Sequence, residues 1–415
     1  MRHSVTLPRP ARGLLIGLAL CLLLVPLAGC GRAEPPPEPV EITFRHPDKD
    51  QKFYQNALAG FNEKYPYITV KLATSGSTAD CFVDESYDLM GLVNGEKIVN
   101  LNPFLDQHED FDKSDFVPGI LDIFTTENKL WAVPAGFNPA VMYYNQDLFD
   151  RYGVAYPTAG WTLDDFLAAA MAIRDPENNI FGYASPPAAD VPDALMFLYS
   201  RGGRILDDLQ NPTRVTLDDP ATIAALDWYV RLINDYNVAP TQEQIRTTFG
   251  TDNRSVYRGI LQNQVGMWIG WFQDRGGLTW NIEWPMKWGV VPLPRGDVAV
   301  TMAFAEGYFI SASSPSPEAC WQWISYLSRQ ATASMAPPRR SLIESEAYER
   351  SVGREAAATA RSAVENVILV SAELAEYEDV LQIFYMALLG VLDGQLTAGE
   401  ALTFAQQEWD ARAIR

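Results

Sequence analysis

The sequence predicts an α/β protein with a mainly parallel sheet, and three observations carry that expectation. Strand, helix and strand follow one another within residues 41–72. Strands and helices alternate again through 129–173 and 265–327. No period of 20–50 residues repeats, which excludes solenoids and propellers. The 415 residues are 47% apolar and 20% charged, an ordinary globular composition. At roughly 150 residues per domain the length suits two domains or three.

The first element is an address. Residues 1–12 carry Arg2, Arg9 and Arg12 and no acid, and 13–29 read GLLIGLALCLLLVPLAG. Charge, length and small-residue ending together read as a secretory signal peptide over 1–29. A retained membrane helix is disfavoured, because Pro26 and Gly29 break the end of a run already near the lower limit of a span. Leu27-Ala28-Gly29-Cys30 resembles the bacterial lipoprotein box. That resemblance implies cleavage before Cys30 and acylation of its residue. Several chains would anchor the protein where one alone binds marginally. Residues 30–40 then form the lipidated Cys and a Pro-rich linker, extended by its proline density.

Beyond the linker, EITFR at 41–45 alternates as a strand. Phe53, Ala57, Leu58, Phe61 and Tyr65 recur at helical spacing until Pro66 stops them. ITVKL at 68–72 is a second strand, completing a right-handed βαβ unit. Cys81 to Val83 is a short buried strand between Asp80 and Asp84. Strands are expected at 130–134 and 141–145, and a helix from Asp147 is ended by Gly153. Thr162 caps the helix running to Ile173, with Asp165 in the capping-box position. Helices follow near 193–201, 219–235 and 254–262. Strands are expected at 265–269, 288–292 and 307–312, then a helix over 317–327 with Pro at its start. The tail from Ser362 is mostly helical, with Gly394 a break and Thr397 a cap.

Composition excludes several functions. Lys plus Arg number 32 against 52 acids, a net charge of −20, so the chain repels phosphates and is no nucleic-acid binder. With only His3, His46 and His108, and Cys21, Cys30, Cys81 and Cys320, no Cys/His zinc site can be assembled. No metal or cofactor is expected. DQHEDFDKSDF at 106–116 lacks the spacing and Gly of a calcium loop. A secreted hydrolase would need two carboxylates flanking one sugar bond. No stretch resembles a hydrolase motif, and Asp164 and Asp165 are helix-start acids, so an enzyme is not expected. The 11 Trp offer flat apolar faces for gripping amphipathic ligands.

Five stretches carry a family resemblance. They are ITF with FYQNALAGFNEKYPYITVKL, KLWAVPAGFNPAVMYYNQDLFDRYGVAYPTAGWTLDDF, QVGMWIGWF, GYFISASSPSPEACWQWISYLSRQ, and GVLDGQLTAGEALTFAQQEW. Together they resemble the family 1 extracellular solute-binding proteins of ABC importers, the group containing maltose-binding protein, over nearly all of the mature chain. The resemblance implies a two-lobed periplasmic-binding-protein-like fold of type II, with discontinuous lobes joined by a hinge. Lobe one would be 41–138 plus 306–343 and lobe two 139–305 plus 344–415. The hinge would cross near 136–141, 299–306 and 341–346. It also implies a carbohydrate ligand, ABC permease subunits as partners and a monomeric receptor lipid-anchored outside the cell membrane. A sugar-sensing receptor for a signalling partner, or a binder of a polyol phosphate, would share the fold. Cys81 and Cys320 would both fall in lobe one, where a disulfide is feasible but open.

Ligands of open α/β sheets sit beyond the carboxyl ends of strands. There Asp48, Asp84 and Glu85 offer acceptors for sugar hydroxyls and Lys49 a donor. Asn138 stands where the resemblance implies a polar ligand contact. Trp271 matches the family's stacking Trp, and Trp161 is a second platform. Glu306 and Gly307 lie at the hinge. Tyr377 near the closing helices is a further aromatic candidate, with Tyr385 beside it. The resemblance places an aromatic near 381, where this chain has Leu381. Asp193 is read as a helix cap and Trp268 as core. Trp280, Trp284 and Trp288 either pack lobe two or roof the cleft.

Overall fold

The computed structural model describes residues 37–75, 78–185, 193–208, 212–332, 334–369 and 378–413. The chain divides into two units, Met1–Pro39 and Val40–Arg415. The signal peptide, Cys30 and Tyr377 lie outside the described residues. The rest of this account concerns the second unit.

The strands are β1 (Val40–Arg45), β2 (Ile68–Ala73), β3 (Cys81–Glu85), β4 (Thr125–Thr126), β5 (Lys129–Leu130), β6 (Val133–Asn145), β7 (Phe181–Tyr183), β8 (Val265–Trp271), β9 (Trp288–Val291), β10 (Thr301–Ile310) and β11 (Val367–Leu369). β4 and β5 form a small hairpin. The other nine make one sheet in the order β2-β1-β3-β10-β6-β8-β7, with β11 added on β10 and β9 on β6. Here the mainly parallel expectation is corrected. β1 pairs in parallel with β2 and β3, β7 with β8, and β10 with β11. The pairings of β6 with β8, β9 and β10, and of β10 with β3, are antiparallel. Strands that return through the middle of the sheet must run against their neighbours, and local βαβ patterning carries no sign of that.

β6 is the longest strand and every residue of it is buried. Its alternation sends Val141 and Tyr143 into one apolar cluster, and Ala140, Met142 and Tyr144 into another. The first cluster also holds the β1 residues Ile42 and Phe44, with Phe61 from the helix Gln51–Lys64 and Trp323 from the helix Pro317–Leu327. The second joins Phe166, Phe197, Leu226 and Phe384. Both faces of the sheet are therefore covered, as doubly wound sheets require. The helix Leu163–Ile173 starts on the expected capping box, Thr162 with Asp165.

The Trp cluster packs against the first apolar cluster. Trp284 is buried, with Tyr143, Trp268, Trp280 and Trp288 at ring-centroid distances of 4.9, 5.1, 4.9 and 5.4 Å. Trp268 is fully buried, as its place opposite Trp271 in strand alternation predicts.

Candidate functional site

β1 ends at Arg45, and His46-Pro47 turn the chain into a single 3-10 turn, Asp48–Asp50. Proline cannot extend the ladder and pre-sets the turn. Lys49 is thereby aimed across to the other half of the sheet. Its Nζ donates to Gln273 Oε1 at 3.0 Å and to Glu306 Oε1 at 3.2 Å. Gln273 follows β8 and Glu306 sits on β10, so one ammonium joins three elements. Asp50, on the same turn, accepts the Ser334 hydroxyl at 2.9 Å.

Glu306 is 4% exposed. It pairs in register with Glu85 on β3 and Gly136 on β6, beside a bulge at Glu306/Gly307. Burial pushes its carboxyl above the usual range, against the pull of Lys49, while Asp50 and Glu85 push the same way as burial. Burial likewise raises Asp50, which Lys49, Ser334 and His46 oppose. Glu85 is half-buried and accepts the hydroxyl of Tyr87, holding that phenol well above its ordinary value.

Asn138 is fully buried on β6, and its Oδ1 accepts the Gln273 backbone N–H at 2.9 Å. Its Nδ2 has no hydrogen-bond partner among the described residues. Trp271 ends β8 half-exposed, held by its N–H to Asp274 Oδ2 at 2.8 Å and by Tyr143 donating to its carbonyl at 2.8 Å. Its ring meets Phe304 edge to face at 5.1 Å. Phe304 is half-exposed and in register with Asn138.

The structure thus brings Lys49, Glu85, Asn138, Trp271 and Glu306 to one locus. Three other candidates stand apart. Asp84 points to the opposite face of β3 from Glu85. There it pairs with Arg45 at 3.4 Å and lines a separate cavity of about 380 Å³ with Phe82, Leu92, Lys97 and Ser311. Asp48 is exposed, and its side chain does not cap the helix that follows. Trp161 is 7% exposed, donates its indole N–H to the Pro292 carbonyl at 2.8 Å and meets Phe166 edge to face. Its faces belong to the second cluster, which corrects its reading as a platform. Asp193 opens the helix Asp193–Ser200 and is fully enclosed, accepting hydroxyls from Tyr183 and Tyr229 at 2.8 Å each. Burial raises its carboxyl despite those bonds.

Sequence reasoning missed Gln273, Phe304, Asp50 and Tyr87. Two of them had a signal. Gln273 is two residues past Trp271, and Phe304 is two residues before Glu306, hence on its face of β10. Among the described residues no group of three His, Cys, Asp or Glu is placed to hold a metal.

The cations of these elements are all engaged. Lys49 is shared as above, and Arg45 meets Asp84. Arg275 donates to the Phe272 carbonyl and, at 3.4 Å, to that of Ser334. What the locus offers is donors, acceptors and an aromatic corner, without an uncommitted positive charge.

The fold has counterparts among solved structures. An ABC substrate-binding protein of Listeria monocytogenes, in complex with cycloalternan, superposes with a TM-score of 0.70 at 22% identity, over 91% of this chain and 99% of that one. UgpB of Mycobacterium tuberculosis, in complex with glycerophosphocholine, gives 0.68 at 16% identity, over 92% and 100%. In sequence, an uncharacterised lipoprotein of Streptomyces antibioticus is 25% identical over 338 residues, 76% of this chain and 72% of its own. The model of the bacterial extracellular solute-binding proteins matches residues 46–333, which takes in β3, β6, β8, β10 and every residue of the locus. The two-lobed α/β architecture is that of this group, and the chain belongs to the bacterial extracellular solute-binding protein family.

Proposed function

We propose that the chain is the membrane-tethered receptor of an ABC importer, binding a carbohydrate between its lobes and delivering it to the permease. Lobe one is 41–138 plus 306–343, lobe two 139–305 plus 344–415, and Cys30 carries the lipid. The reading rests on the locus at which Lys49 of one lobe meets Gln273 of the other, beside the Trp271–Phe304 corner. A sugar ring presents hydroxyls around its rim and an apolar face. Lys49, Glu85, Asn138 and Glu306 serve the rim, and Trp271 serves the face. Stacking one face buries on the order of 60 Å², worth roughly 1.5 kcal/mol. A micromolar complex needs about 8 kcal/mol, so hydrogen bonds supply most of the affinity.

The fold alone does not choose the ligand, since the Listeria and Mycobacterium proteins hold different compounds. The charge balance favours a neutral one. A phosphate would meet Glu85, Asp50 and Glu306, with Lys49 already shared between two acceptors. A thermal-shift screen of residues 31–415 against sugars, polyols and glycerol phosphates tests this. A ligand at about 100 times its Kd adds about 2.7 kcal/mol. A shift with a sugar supports the reading; a shift with a phosphate ester alone overturns the carbohydrate assignment and keeps the receptor.

A further inference from the structure

Cys81 and Cys320 are both fully buried and both free thiols, and the fold brings them together from distant parts of the chain. In the sheet Cys81 on β3 lies beside Phe44 on β1. Trp323, on the helix Pro317–Leu327, sets its ring edge-on to Phe44 at 5.7 Å. Cys320 is three residues earlier on that helix and so shares the face that carries Trp323. Ser314 triangulates the same spot. Its hydroxyl donates to Asp80 Oδ1 at 2.9 Å, next to Cys81 in sequence, and stands 3.9 Å from Cys320 Sγ.

We propose that Cys81 and Cys320 are the site of a structural disulfide, closed as the exported chain folds, which ties the strand carrying Glu85 to the helix behind the sheet. The proposal rests on the extracytoplasmic placement above, because disulfides persist in oxidising compartments. Two S–H bonds break and one S–S bond forms. The two electrons and two protons pass to a disulfide oxidant, which becomes a dithiol. One thiolate attacks the oxidant to give a mixed disulfide, and the other displaces it. Burial, and the facing Cys320, push the Cys81 thiol well up, so in the native fold it is a poor nucleophile. The exchange therefore accompanies folding, and burial afterwards shields the bond from reductants.

The test has two arms. In the first, the full chain is expressed with its leader, recovered from outside the cytoplasmic membrane and alkylated with iodoacetamide in denaturant without reductant. Peptides bearing Cys81 and Cys320 should be joined and unalkylated, and dithiothreitol should release both. Exported chain alkylated at both positions overturns the proposal. In the second, reduced denatured chain refolds in a glutathione redox buffer. A joined pair there, in a chain that cells retain in the cytoplasm with its leader intact, overturns the placement and upholds the site. No joined pair after refolding overturns the site. Cys81→Ala, Cys320→Ala and the double variant should lose the same roughly 5 °C or more of Tm, matching the loss the unmodified chain shows in dithiothreitol. Losses that add, and that dithiothreitol does not reproduce, point to simple cavities and overturn it.

Discussion

Glu306 is a carboxyl group with little water around it, and among the described residues one cation, Lys49, pairs with it. Its pKa in the fold is raised above the ordinary 4.5, burial being the main cause. The folded state then holds protons that the unfolded state has released, so stability falls as pH rises through the interval from 4.5 up to the raised value. Asp50 adds a contribution of the same sign. Calorimetry across pH 4–8 should show this fall, and Glu306→Gln should flatten it while its amide oxygen still accepts from Lys49. Lys49→Met leaves Glu306 buried without its cation and should weaken a sugar found by the screen roughly tenfold or more in titration calorimetry. The two Trp candidates should separate cleanly. Trp271→Ala should cost roughly 1–2 kcal/mol of binding with little loss of Tm. Trp161→Ala should cost roughly 3–5 kcal/mol of folding and leave affinity unchanged. Residue by residue, legibility followed local pattern. Trp271 and Glu306 sit in recognisable strand contexts. Asp84 was misassigned because the sequence does not say which face of β3 meets the other half of the sheet, and Trp161 because a helix-start aromatic looks the same whether it faces solvent or core.

At the scale of elements, short-range signals were read well and long-range ones poorly. The helix over Leu163–Ile173 begins where Thr162 and Asp165 place it, and Thr162→Ala should cost about 1 kcal/mol in urea unfolding. Strand β1, the helix Gln51–Lys64 and β2 match the apolar periodicity of 41–72 closely. The failure is β6. The sequence reading splits it into 130–134 and 141–145, because Gly136 and Pro139 look like breakers. In the structure Val133–Asn145 is one strand. Proline is tolerated at 139 because the strand changes partner there: Pro139 is the last residue matched to β10 and Ala140 the first matched to β8. β10 was likewise begun too late, at 307, because the Glu306/Gly307 bulge interrupts its alternation.

The whole molecule shows why the parallel expectation fell short. Each half of the sheet has its own βαβ logic, visible in sequence. What joins them is a pair of long strands that belong to both, and their antiparallel pairing joins segments some 160 residues apart, as where Thr301 donates to the Ala140 carbonyl. Contacts of that span leave no periodic trace in the chain. The acidic surplus is likewise a property of the whole. A net charge of −20 should make capture of a neutral sugar nearly indifferent to salt between 50 and 500 mM, whereas an ionic ligand would respond. Titration at both concentrations checks this.

Pro139 has a mechanical consequence. A proline carries no amide hydrogen and its φ is fixed, so the handover from β10 to β8 occurs at a peptide with one ladder bond fewer to strain and one torsion fewer to turn. Bending of β6 at that point is confined to the ψ of Pro139 and the torsions of Ala140. The joint thus has one torsion fewer than an ordinary residue would give it, and any swing of the two halves of the sheet is narrowed to that extent.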